Sequence, residues 1–572
     1  MAGHVDAPQR SASADRPAPG TVAPSRWWAP DAALAAAVAA VAGLLAAGFW
    51  AGRSLWFFAD EWNVYGDYPL GDLLKPFNGH LSLVPIGIYQ VLYRTVGVGD
   101  GAYVWFRLAG LAALGVLGSV VLRYGRTRVG PWAGALAAVA VLWNSAGSSD
   151  VLFPFLLNFT VPIAALFAIW WHLDRRTAGH DAAAAAWLAV ALATSALGLM
   201  ALAAVVVELA WSRAPLRRWL VLSPGVVLWS LWYLTNREST PLATDPVEIV
   251  EYAARMYLGA TTSLAAGWTP GGVLLAVALV VLVGVAALRW RSLDARTLGA
   301  LAAPAAFIVV TTLTRIPIRP YIPPDELRYR WAVAAYLVGA VLSMWRPRRD
   351  APADTGAPEQ LLQGRRAAVA GAVAALVLAV GGVGLWRGMG DWSDMVEGAT
   401  PGVRANLAAA EAIGAGRIDP DVVLPLSYVP VTAGEYLRGV EEVGSTLDGL
   451  DPQTFGGRRD HRRSADRLLV EQLGVAARPT TAAPAPGGGA CEPSAGPVRV
   501  EPGGTALVRS GAGGTVRVGR FAELAEDAPE VAVPAGDSAL RLPRDAAGAP
   551  DGLPAYRVWA GPSATVCPSP AG

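Results

Sequence analysis

Apolar residues in this chain come in long blocks. Nearly every position from Ala32 to Phe49 is apolar, and comparable runs recur at roughly 102–122, 130–146, 158–172, 182–197, 198–211, 219–235, 271–288, 298–313, 329–345 and 367–386. About 20 such residues suffice for a helix to cross a bilayer. Arginine clusters separate the runs in alternate loops: Arg123, Arg126 and Arg128; Arg175 and Arg176; Arg213, Arg217 and Arg218; Arg289, Arg291 and Arg296; then Arg346, Arg348, Arg349, Arg365 and Arg366. Basic loops of this kind stay on the cytoplasmic side. Residues 182–211 have basic flanks on both sides, so they read as two short crossings that turn near Ser195–Gly198. The pattern predicts a mainly α, polytopic membrane helix bundle of about eleven spans over residues 27–386, with the N-terminus cytoplasmic and the C-terminus extracytoplasmic.

Past residue 386 the pattern changes. Residues 387–480 mix a helical stretch (VRANLAAAEAI) with a short apolar strand (DVVLPL), which predicts an extracytoplasmic mixed α/β region. TAAPAPGGGA, residues 481–490, has the composition of a flexible linker. Beyond it VRVEP, TALVR, GTVRVGRF, EVAVP, SALRLP and YRVWA alternate apolar and polar positions between Gly/Pro turns, the signature of a small β-sandwich-like module over 491–572. At the other end, residues 1–26 are rich in Ala, Pro, Ser and Arg and read as a disordered cytoplasmic tail. No small-residue cleavage site follows the first apolar run, which is therefore taken as an uncleaved anchor.

Composition agrees with a membrane protein. The chain has 572 residues, 53% of them apolar, and a mean hydropathy of +0.38. A net charge of +1 without any basic tract excludes bulk attraction to nucleic acid. Lys75 is the only lysine, and with abundant Ala, Gly, Val and Pro this reflects a GC-rich genome. Cys491 and Cys567 fit no zinc or redox spacing. A disulfide between them would clasp the β module, contribute about 4 kcal/mol in the chain-entropy model, and require an oxidising compartment.

Two polar stretches stand out. FFADEWNVYGDYPLGDLLKPFNGHL, residues 57–81, lies in a first outer loop (53–101) too long to be a connector. Asp60 and Glu61 fall close to the level of lipid headgroups, where acidic residues also serve as plain span-end markers. Trp56, Trp62, Tyr65 and Tyr68 suit an interfacial belt or stacking on sugars, and Asn78-Gly79-His80 adds hydrogen-bonding groups around a turn. The second stretch is TRIPIRPYIPPDELRYRW, residues 314–331, with Arg315, Arg319, Arg328 and Arg330 crowded on the outer side against the topogenic bias. Guanidinium groups bind phosphate bidentately; pairing with Asp325 and Glu326 is the local alternative. SSDVLFPFLLNFT, residues 148–160, supplies Asp150 and Asn158 at another outer helix end, a weak signal by itself. No Walker loop, GxSxG elbow or HExxH motif occurs.

The acidic ADEW in the first outer loop, the downstream NGHL and the late LRYRW at a span entrance resemble the GT-C superfamily, over roughly residues 30–390. The resemblance implies a multispanning glycosyltransferase that moves a sugar from a polyprenyl-phosphate donor to an extracytoplasmic glycan, lipid or protein acceptor. In its terms Asp60 or Glu61 is the catalytic base, Arg328 and Arg330 take the phosphate, and Asn78, His80 and Lys75 orient sugar or phosphate. Attack opposite the phosphate implies inversion. A divalent cation is the one cofactor left open; membrane lipids are the other partners. The alternatives are a non-enzymatic protein of envelope glycan or lipid translocation or assembly, and a degenerate transferase. A translocator calls for charge along the spans, whereas here charge concentrates in the outer loops.

Overall fold

The structure, a computed structural model, describes residues 32–68, 70–99, 101–236, 241–288, 294–318, 321–345, 357–424, 426, 431–447, 459–481, 496–547, 549–550 and 552–568. The expected tail 1–26, most of the linker 481–490, Arg319 and Cys491 lie outside these residues.

Alanine- and leucine-rich blocks have high helix propensity, and each apolar run becomes helical. In chain order these are α1 (Ala32–Ala51), α2 (Asp60–Asp67), α3 (Leu83–Thr95), α4 (Tyr103–Arg128), α5 (Pro131–Leu142), α6 (Ser148–Leu152), α7 (Leu157–Leu173), α8 (Ala178–Thr194) and α9 (Gly198–Trp211). They continue with α10 (Leu216–Trp219), α11 (Ser223–Thr235), α12 (Pro246–Leu264), α13 (Thr269–Leu288), α14 (Ala295–Arg315), α15 (Leu327–Ser343) and α16 (Ala357–Ile413). The expected turn near Ser195 is present: α8 stops there, and the Ser195 hydroxyl donates to the Asn158 carbonyl at 2.7 Å.

The expected count of about eleven spans is not met among the described residues. Four helices are long and apolar enough to cross a membrane: α1, α4, α7 with the turn before it, and α14. The pair α12–α13, bent by 112°, adds a fifth if taken as one broken span. Helix length is the reason. At 1.5 Å per residue the 12 residues of α5 and the 14 of α9 reach only about 18–21 Å, short of the ~30 Å hydrocarbon core. The last apolar run, 367–386, lies in α16, where several side chains fall outside the description.

Close backbone approach holds the bundle together, as small residues do between membrane helices. A Cβ on Gly125 of α4 would come within 2.6 Å of the Gly134 Cα of α5, so neither position accepts a side chain without parting the helices. At one end of the bundle, four buried or half-buried charges close on one another. Arg296 donates from Nε and Nη2 to Glu208 at 2.7 and 2.6 Å, and Arg128 reaches Asp174 at 2.7 Å. Asp174 lies 3.1 Å from Arg296 as well, which joins the two pairs.

The helix α16 leaves the bundle and runs unbroken through residue 386 into the C-terminal region, where α18 (Arg459–Gln472) packs on it. A two-stranded sheet of β1 (Val423–Leu424) and β2 (Val431–Thr432) precedes α17 (Ala433–Val443). Thr432 and Glu435 form a reciprocal capping box at the start of α17. The β module contains two four-stranded antiparallel sheets. One has the order β10 (Ala564–Pro568), β5 (Thr505–Ser510), β8 (Gly536–Arg541), β3 (Ala477–Pro479). The other has β4 (Val498–Val500), β9 (Tyr556–Ala560), β6 (Gly514–Gly519), β7 (Glu530–Val533). All six expected strands are present. β3 joins them from before the linker, so the sheets draw on sequence outside 491–572. Val508, Val516, Val518, Leu540 and Val558 form the core between the sheets. Cys567 is disulfide-bonded.

Candidate functional site

The long loop after α1 is folded. Asp60 and Glu61 occupy the first turn of α2, where carboxylates are favoured by the helix dipole. Their surroundings differ sharply. Glu61 is fully buried: its Oε2 accepts the Phe58 N–H at 2.8 Å, the hydroxyl of Tyr89 donates to Oε1 at 2.5 Å, and that of Tyr103 to Oε2 at 3.1 Å. Burial lifts the Glu61 pKa to about 8 against the pull of these hydrogen bonds. Its carboxyl is sealed among aromatic rings.

Asp60 is only half-buried. Burial raises its pKa, while the positive charges of Arg328 and Arg315 act in the opposite direction. Those two arginines come from the ends of different helices, Arg315 from the last turn of α14 and Arg328 from the first turn of α15. Among the described residues Arg328 has no tight ion pair: the nearest carboxylate, Glu326, is 4.0 Å away, and the Arg328 Nε has no hydrogen-bond partner. Its charge also acts on Asp150 of α6. Asp150 is buried with Oδ1 unpartnered, and burial holds its pKa well above the usual carboxylate range. Asn158 Oδ1 is likewise buried without a partner.

His80 joins the group. Phe77 and His80 exchange backbone hydrogen bonds of 2.9 Å across a tight turn in which Asn78 and Gly79 both have positive φ, 50° and 74°. Burial and then the charge of Arg315 lower the His80 pKa to about 4, so the imidazole is neutral near pH 7. Asn78 is exposed at the turn tip, and Lys75 is exposed with its ammonium 5.3 Å from the Tyr68 ring centre. Arg330 is engaged locally: Nη2 meets Asp325 at 2.9 Å, and its stem packs on Gly259 of α12. Asp325 is shared with Arg255 of α12 at 3.5 Å. The structure thus brings Asp60, His80, Arg315 and Arg328 into one electrostatic neighbourhood with Asp150, seals Glu61 beneath it, and ties Arg330 to the loop.

The four loop aromatics are neither a belt nor a stacking platform. Trp56, Trp62, Tyr65 and Tyr68 are all buried. Trp62 and Tyr65 meet Tyr436 of α17 at ring distances of 6.2 and 5.6 Å, and the Tyr65 hydroxyl donates to the Gly444 carbonyl at 2.6 Å. A Cβ on Gly66 would lie 2.5 Å from the Glu435 carbonyl oxygen, so α2 and α17 touch backbone to backbone. The C-terminal region is therefore seated directly on the helix that carries Asp60.

Arg315 and Asp150 are the residues the sequence underrates. Arg315 is visible in the sequence as one of four arginines crowded into residues 314–331. Nothing local to Asp150 marks its carboxyl as buried and half-partnered. Among the described residues no group of three or more His, Cys, Asp or Glu side chains is placed to hold a metal ion.

No protein-family model and no curated protein matches the chain. Among solved structures it is similar to ArnT from Cupriavidus metallidurans bound to undecaprenyl phosphate, with 17% identity over 70% of this chain and 84% of that chain, at a TM-score of 0.40.

Proposed function

We propose that this chain is a membrane glycosyltransferase that moves a sugar from a polyprenyl-phosphate donor to an extracytoplasmic acceptor hydroxyl, with its N-terminus cytoplasmic and its C-terminus outside. The observation that carries the reading is a half-exposed carboxylate, Asp60, within the field of two guanidinium groups, Arg328 and Arg315, that have no carboxylate closer than 4.0 Å among the described residues. A raised carboxyl pKa lies nearer the working pH, where a general base is most effective.

In this reading Asp60 takes the proton of the acceptor hydroxyl as its oxygen bonds to the anomeric carbon. The bond from that carbon to the phosphate oxygen breaks, and its electron pair leaves on the polyprenyl phosphate. Arg328 and Arg315 stabilise that developing charge, and attack from the opposite face inverts the anomeric centre. Neutral His80 serves as a hydrogen-bonding group to sugar or phosphate without adding charge. Lys75 and Asn78 belong to the exposed rim, and Arg330 holds the loop through Asp325. Glu61, lacking solvent access, fixes the start of α2 and thereby the position of Asp60.

The test is incubation of the purified full chain with a panel of polyprenyl-phosphate sugars and candidate acceptors. Release of free polyprenyl phosphate from at least one donor is expected. Absence of release across the whole panel overturns the transferase reading.

A further inference from the structure

The end of the bundle opposite Asp60 holds a cavity of about 360 Å³ with no part in the chemistry above. Arg176, Asp181, Arg217, Ala185, Leu220 and Val221 line it, so cationic groups face an apolar wall. Asp181 is already taken by Arg218 at 3.1 Å. Neither Arg176 nor Arg217 has a carboxylate within ion-pair distance among the described residues. Nearby, Arg123 and Arg175 lie over the Trp171 ring at 3.9 and 3.6 Å, and Asp174 is occupied by Arg128 and Arg296. Positive charge is in local excess.

A second feature concerns Arg176 alone. It follows α7 with φ of 55°, the left-handed conformation that glycine usually supplies at a helix C-terminus. An arginine there carries a backbone cost that glycine would avoid, and the guanidinium it brings lies at the cavity. Basic pockets between membrane helices on the cytoplasmic side recognise lipid headgroups.

We infer that this cavity binds a phosphate-bearing anion, with Arg176 and Arg217 on the phosphate and Ala185, Leu220 and Val221 against an apolar substituent. A phospholipid headgroup and free phosphate share that chemistry, and the apolar wall is what distinguishes them. The site is independent of the transfer reaction and stands whether or not Asp60 is catalytic.

The experiment measures binding of short-chain phosphatidylglycerol, short-chain phosphatidylcholine and inorganic phosphate to the purified full chain in neutral detergent. Arg176→Gly, Arg217→Gln and their combination are compared with the unaltered protein. Phosphatidylglycerol should bind, phosphatidylcholine should bind more weakly, and the double variant should lose about tenfold or more in affinity. Arg176→Gly suits the left-handed backbone, so its unfolding temperature should hold or rise while binding falls; this separates recognition from folding. Inorganic phosphate binding as tightly as the lipid, and lost with the same arginines, supports the site with free phosphate as occupant. No binding of either probe, or equal affinity in the double variant, overturns it.

Discussion

At one end of the helix bundle Arg128 and Arg296 meet Asp174 and Glu208 in a network in which charge answers charge within 3.1 Å. At the other, among the described residues, Arg328 has no carboxylate closer than 4.0 Å and Asp150 keeps a buried oxygen without a partner. Both ends cluster guanidinium groups and carboxylates at helix termini. The first arrangement is closed and has nothing left to offer a ligand, whereas the second retains unsatisfied capacity. A buried charge left unpaired destabilises the fold, so an open cluster implies a function that keeps it open. That difference separates a structural clasp from a candidate reaction site.

The largest expected effect lies at the closed end. Arg296→Met leaves Glu208 without its partner and should cost about 3–5 kcal/mol, read as a large fall in unfolding midpoint. Adding Glu208→Leu should recover much of that loss. If the single change leaves the midpoint unaltered, the network is no clasp.

Next comes the open end. Arg328→Ala should leave the unfolding midpoint nearly unchanged while turnover falls about 100-fold, as when a donor to a developing oxyanion is removed. Arg330→Ala, which breaks the pairing with Asp325, should affect turnover less. Equal effects of the two would erase the distinction between them.

A pH effect at Glu61 is read in stability rather than in turnover. Its folded pKa of about 8 exceeds the unfolded value near 4.5, so the folded state holds a proton that the unfolded chain releases. Stability should fall as pH rises from about 4.5 to about 8. Glu61→Gln cannot ionise and should flatten that slope, which thermal unfolding across the range would detect.

The sequence reveals the β module well because alternation fixes which side of each strand faces the core and Gly/Pro turns bound the strands. β3 escapes that reading, since pairing with β8 across a linker leaves no local mark. Apolar runs locate helices, but the span count they suggest is not confirmed among the described residues, because hydropathy does not report where a helix stops. Glu251 and Arg255 interrupt the apolar pattern of α12, hiding a helix that packs against the site loop. For the site itself, an adjacent Asp60–Glu61 pair looks symmetric in sequence. Only packing by Tyr89 and Tyr103, residues 28 and 42 positions away from Glu61, breaks the symmetry.

That broken symmetry is the central claim, and one comparison addresses it directly. Polyprenyl phosphate release would be measured for Asp60→Asn and Glu61→Gln, using the donor the unaltered chain accepts and at a pH where both variants are folded. Asp60→Asn should lower turnover by about 100-fold or more, with donor binding largely kept, and Glu61→Gln should retain most activity per folded molecule. Full activity in Asp60→Asn, or a loss confined to Glu61→Gln, would contradict the account.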